Sequence, residues 1–172
     1  MSKVEAIKDT HTNSAGRKYA REMICMNKAQ VFFIEWATPV YKENLNVAFE
    51  GLAPDDAEPN LAVLASLALN CGMDVISCDL SVQATIDRLN SLDDRYRPYG
   101  TTSVFQPWGK GIRDRYAAAT ISDYFKAHPR SKVGILLFGS DHFVAEDGRN
   151  APPLDELVKE LGIECNIVNS EA

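Results

Sequence analysis

The chain's 172 residues include 24 acidic and 18 basic side chains, a net charge of −6, and 45% are hydrophobic. This balance argues against a nucleic-acid surface, which needs clustered Lys and Arg, and no stretch approaches the roughly 18 apolar residues of a membrane span. The opening "MSKVEAIKDTH" lacks the apolar core of a secretory signal, so the expected location is cytoplasmic, or outside the cell as an effector secreted without a signal peptide.

The length suits one domain over residues 1–172. Cys25, Cys71, Cys78 and Cys165 form no C-x-x-C pair and read as reduced thiols, not as a disulfide framework or zinc knuckle. Residues 4–7 read as a weak first strand. In the following "THTNSAGRKYAREMICMNK", Thr12, Asn13 or Ser14 can cap a helix whose apolar face is Tyr19, Met23 and Met26. "QVFFIEW", residues 30–36, is the second strand, and "VYKENLNVAFEGLAP" then leaves the sheet as a helix or turn. Pro59 opens the helix "NLAVLASLALNCG", which Gly72 stops. It is apolar nearly all round, which predicts deep burial.

"MDVISCDL" is the third strand, and Val82, Ile86 and Leu89 mark a helix capped by Ser81 or Asp79. Residues 93–111 show no periodicity and are rich in Gly, Pro and aromatics, so they read as a long loop of the functional kind. A helix over about residues 112–127 ends at His128-Pro129, because the residue before proline avoids the α region. "VGILLFG" is the fourth strand. Pro152-Pro153 starts a last helix with Leu154, Leu157, Val158 and Leu161 on one face, Gly162 ends it, and "IECNIV" is the fifth strand. Short strands joined by helix-length crossovers predict an α/β three-layer sandwich around a mostly parallel five-stranded sheet.

Ligands of such sheets bind beyond the C-terminal ends of the strands. Standing there are Asp9-Thr10-His11, Glu35, Asp79 and Ser140-Asp141-His142. Singly, each has a plain explanation: a histidine after a strand is commonly a turn residue, Asp79 a helix cap, His128 a helix-end residue. Glu35 resists it, since a carboxylate closing so apolar a run needs a partner or an open cleft. With the first strand between the second and fourth, His11, Glu35 and His142 would share one crevice. Imidazole and carboxylate suit a divalent manganese, cobalt or zinc ion with an open position; the same groups without metal suit acid–base work.

Gly139-Ser140-Asp141-His142 after an apolar strand, the Arg-Asp helix in "GIRDRYAAATI", "KDTHTNSAGRKYAREM" and "VFFIEW" form an ordered set. It resembles the TraB/Tiki/ChaN-like superfamily, which shares the fold of erythromycin esterase and ChaN. The likeness covers nearly the whole chain and is nearest to the branch in bacterial toxins and effectors, including the second C-terminal subdomain of Pasteurella-type dermonecrotic toxins. The resemblance implies that His11 and His142 are the paired motif histidines, Glu35 the motif acid, Asp9 the stand-in for the first-motif Glu, and Arg113 the motif Arg. The chain departs at Lys8, where the motif has Gly, and at Asp9, one methylene shorter than Glu.

The expected function is a metal-dependent, protease- or esterase-like hydrolase of a small-molecule or peptide substrate. Glu35, His142, Arg113 and Asp9 would be catalytic, and His11, Glu35 and His142 the metal ligands. Arg113, Tyr99, Trp108 and Asp79 would contact substrate, with residues 93–111 as a lid walled by Tyr96, Tyr99 and Trp108. Two alternatives stand beside it. One is a haem or small-ligand carrier using Tyr96, Tyr99 or a histidine as axial ligand. The other is a catalytically silent effector domain acting through contacts with a host or partner protein.

Overall fold

All four residues of β2 (Val31–Ile34) are buried, as are the last six of β4 (Val133–Gly139). Runs apolar on both faces are stable only where helices cover both sides of a parallel sheet. The computed structural model describes residues 1–10, 12–37, 60–92 and 104–169, and it has that arrangement. Strands β1 (Lys3–Asp9), β2, β3 (Asp74–Ser77), β4 and β5 (Glu164–Ile167) form an all-parallel sheet in the order β3-β2-β4-β1-β5.

Alternation along the strands makes two cores. Ile7, Phe32, Ile34, Ile135 and Leu137 face helices α1 (Ala15–Cys25) and α2 (Leu61–Asn70). Val31, Phe33, Leu136 and Phe138 face α4 (Pro107–Ala127) and α5 (Leu154–Glu160). Helix α3 (Val82–Ser91) buries Thr85 and Leu89 and packs along α4. The expected three-layer α/β sandwich is the observed architecture, and no helix of the described residues is long and apolar enough to cross a membrane.

Several details differ from expectation. Strand β1 does not lie between β2 and β4; β4 takes the central place, between β2 and β1, and β1 pairs with β4 and β5. The more continuously apolar strand occupies the position buried on both faces, whereas Lys3, Glu5 and Lys8 keep β1 only partly buried. On α1 the buried face is Gly16, Ala20 and Ile24, while Tyr19 and Met26 are exposed. Small residues let that helix approach the sheet closely, a signal that a search for large apolar residues misses. Leu161 is likewise exposed just past α5.

Helix α4 begins at Pro107, not near residue 112, so residues 107–111 are its first turn and not part of a loop. Proline suits that position because its missing N–H has no intrahelical partner there. The helix is buried on several sides, with Trp108, Arg113, Asp114, Ala117, Ile121 and Phe125 all enclosed, so it shows no single apolar stripe. The Asn60 side chain caps α2 by accepting from the Val63 N–H at 2.9 Å, and Gly72 (φ 79°) turns the chain out of it. Ser81, not Asp79, caps α3, accepting from the Ala84 N–H at 3.1 Å. "VYKENLNVAFEGLAP" and residues 93–103 of the expected loop lie outside the described residues.

At Gly16 a Cβ would overlap the backbone carbonyl oxygen of Lys8 and come within 3.2 Å of Asp9 Cα. Alanine would raise intrinsic helix propensity by about 1 kcal/mol, but overpacking against backbone costs about 1–3 kcal/mol. Gly16→Ala is therefore expected to lower the urea midpoint. A raised midpoint would show that α1 does not sit so close to β1.

Candidate active site

The chain leaves β2 for α2 on one face of the sheet and leaves β4 for α5 on the other. Neighbouring strands whose connections part in this way leave a crevice at their C-terminal ends. Glu35 follows β2 directly, and β4 runs into a 3-10 turn, Ser140–Phe143, carrying His142. Both side chains therefore enter the same crevice.

Glu35 is held by two donors and stands against a histidine ring. Its Oε2 accepts from the Gly139 N–H at 2.7 Å, and its Oε1 accepts from Arg113 Nη2 at 2.9 Å and lies 3.2 Å from His142 Nε2. Burial alone would push this carboxyl up, but the hydrogen bond and charge of His142 once that ring is protonated, the Gly139 N–H and the Arg113 charge together hold it down at about 2. Glu35 is thus a firm anion and a poor proton acceptor.

The other ring nitrogen of His142, Nδ1, makes a short contact with Asp114 Oδ1, and the second oxygen of Asp114 pairs with Arg149. His142 is 4% exposed, Asp114 0% and Arg149 1%, so all three polar groups are interior. The Phe138 ring meets His142 edge to face at 5.2 Å between centroids and walls its side.

Arg113 joins the group from α4. Nε and Nη2 bind Asp79 at 2.8 and 2.6 Å, a bidentate pair. The planar fork expected for a substrate is therefore engaged by Asp79. Nη1 has no hydrogen-bond partner among the described residues.

Two cavities flank these residues. One, of about 230 Å³, is lined by Glu35, Phe105, Lys110, Arg113 and the turn from Gly139 to His142. The second, of about 250 Å³, is walled by Trp36, Leu80, Val82 and Val104, and shares Glu35, Phe105 and Arg113 with the first. Both fall below the roughly 300 Å³ where pockets for drug-sized ligands begin; they suit a small substrate or one end of a larger one.

Of the expected site residues, Glu35, Asp79, Arg113 and His142 come together. Asp9 ends β1 beside Gly139 in register, is buried, and lies 3.4 Å from Arg17 Nε; it lines neither cavity. Trp108 is buried in the first turn of α4 and also lines neither, while the exposed Phe105 lines both. His11, Tyr96 and Tyr99 lie outside the described residues. His128 sits exposed at the end of α4, stacked on Tyr124 with its Nδ1 against the Tyr124 carbonyl.

The expected metal set pairs Glu35 and His142 with His11. Among the described residues no three metal-ligating side chains gather, and the Glu35 oxygen nearest His142 already receives Arg113. The described residues therefore do not of themselves make a metal centre. For haem, the expected axial tyrosines are outside the described residues. Comparison with models of known protein families, with curated proteins and with solved structures found no match.

Sequence reasoning misses Asp114 and Arg149. Asp114 stands in the Arg-Asp pair but draws no role of its own there. Arg149 follows the Asp147-Gly148 turn, a polar surrounding that gives no sign of burial.

Glu35 has an ordinary value of 4.5 and a folded value of about 2, so its ionised form favours the fold. That stabilisation is fully present above about pH 4.5 and is lost as pH falls through 2, amounting to roughly 3 kcal/mol. Urea titrations between pH 6 and 2 should show a steeper acid loss for wild type than for Glu35→Gln. Parallel curves would refute the placement of Glu35.

Proposed function

We propose that the chain is a hydrolase of a small or terminal ester or amide, with His142 as the proton-exchanging group. The observation that carries this reading is His142 held at Nδ1 by the buried Asp114, with Nε2 at the cavity wall beside an ionised Glu35. The ordered motifs that resemble the TraB/Tiki/ChaN-like superfamily support it independently.

The proposed roles follow from the atoms. With Nδ1–H held by Asp114, Nε2 takes a proton from water as the water oxygen attacks the carbonyl carbon. It returns that proton to the leaving oxygen or nitrogen as the scissile bond breaks. Glu35 Oε1, 3.2 Å from Nε2, stabilises the imidazolium that exists between the two transfers. Glu35 thus supports His142 electrostatically and does not itself take the proton. Arg113 Nη1 is the donor available to the developing oxyanion, and Asp79 keeps that guanidinium in place.

The test is a panel of p-nitrophenyl esters and amino-acid anilides, chosen for chain length. Against a cleaved substrate, His142→Gln is expected to lower kcat by about 10²–10⁴-fold, and His128→Ala to leave it unchanged. Hydrolysis that survives His142→Gln would end this reading. Arg113→Lys keeps the charge but cannot grip Asp79 with two parallel bonds. It should lower kcat by roughly tenfold or more while KM moves little; unchanged kcat would remove Arg113 from the chemistry.

A further inference from the structure

Arg149 is the largest fully buried side chain of the described residues, and an interior cation needs a reason. Its Nη1 donates to the carbonyl oxygens of Asp141 at 3.0 Å and Val144 at 2.7 Å. Its Nη2 donates to the carbonyl of His142 at 3.0 Å and pairs with Asp114. Every partner is thus either backbone of the His142 turn and the residue after it, or the carboxylate that holds the His142 ring. Satisfying a turn's carbonyls needs only water; adding Asp114 ties the turn to the ring it carries.

We propose that Arg149 is a positioning residue that dictates which ring nitrogen of His142 is free to exchange protons. Asp114 is wholly buried, and an isolated carboxyl there would keep its proton. The adjoining guanidinium holds Asp114 ionised. Burial draws Arg149 below its ordinary value, yet an arginine keeps its charge in proteins. An ionised carboxylate can only accept, so the neutral ring carries its proton on Nδ1 and turns an unprotonated Nε2 toward the cavity. Glu35 competes weakly for that proton, since Arg113 and Gly139 already occupy its oxygens and its contact with the ring is the longer one. Without Arg149, Asp114 would take up and keep a proton and donate a hydrogen bond to a bare Nδ1, so that the ring proton sits on Nε2, where it faces Glu35. The tautomer assignment stands on geometry alone; its consequence for turnover rests on the hydrolase reading.

Nitrogen-15 NMR of imidazole-labelled protein tests this directly, because the chain has only three histidines and His142→Gln assigns the signal. At a pH where the ring is neutral, wild type and Arg149→Lys should show His142 protonated at Nδ1, and Arg149→Met protonated at Nε2. Wild type already protonated at Nε2, or folded Arg149→Met still protonated at Nδ1, overturns the proposal. Should Arg149→Met fail to fold, Arg149→Gln, which keeps donors for the turn carbonyls but no charge, is read in the same way: protonation at Nε2 supports the proposal and protonation at Nδ1 overturns it. With a cleaved substrate, Arg149→Lys should retain much of the kcat that Arg149→Met loses, with KM little changed. If no substrate is found, the nitrogen shifts alone distinguish the two tautomers.

Discussion

Glu35 ends an apolar strand, and its carboxylate is taken out of water with donors from β4 and α4 around it and the His142 ring, a third donor once protonated, beside it. Desolvation opposes the ionised form, and several hydrogen bonds are needed to outweigh it. Each donor brings its own obligations. Arg113, once buried, needs Asp79; His142, once turned toward Glu35, presents Nδ1 to the interior and needs Asp114; Asp114 needs Arg149. One buried carboxylate thus recruits a line of acidic and basic groups along the C-terminal edge of the sheet. Removing one member leaves its neighbour charged and unpaired, which typically costs more than the pair contributes.

The sheet order makes the line possible. Because β4 sits between β2 and β1, the residues after β2 and β4 are neighbours, and Arg113 of α4 reaches Glu35 there. Placing β1 there instead would separate Glu35 from the Gly139 N–H by a strand. The same order puts Asp9 beside Gly139 on the far side of β4, where Asp9 lies near Arg17 of α1.

How much of this the sequence discloses depends on the contrast each residue makes with its surroundings. Glu35 after "VFFI" and His142 after "VGILLF" stand out because a polar group follows a run that must be buried. The strands themselves stand out for the same reason. Asp114 lies in "GIRDRY" and Arg149 in "EDGRNA", where charge among charge reads as surface. Their burial is a product of tertiary packing, which no local pattern records. Strand order is hidden too, since parallel strands with helical crossovers fit more than one order. The buried face of α1 escapes a reading for large apolar residues because Gly16 and Ala20 act by being small, and bulkier neighbours give the louder signal.

The spacing between Gly139 and His142 has a physical content of its own. A 3-10 turn starting at Ser140 rises about 2 Å per residue and brings residues three apart into line. The backbone N–H of Gly139 and the ring of His142 therefore meet one carboxylate, the first at Oε2 and the second at Oε1. A shorter or longer interval would aim the imidazole elsewhere while leaving the backbone bond intact. The motif is thus a measure of reach: it sets a histidine at the far oxygen of an acid whose near oxygen the strand end already holds. Given that placement, the acid contributes a fixed negative charge, and proton exchange falls to the imidazole.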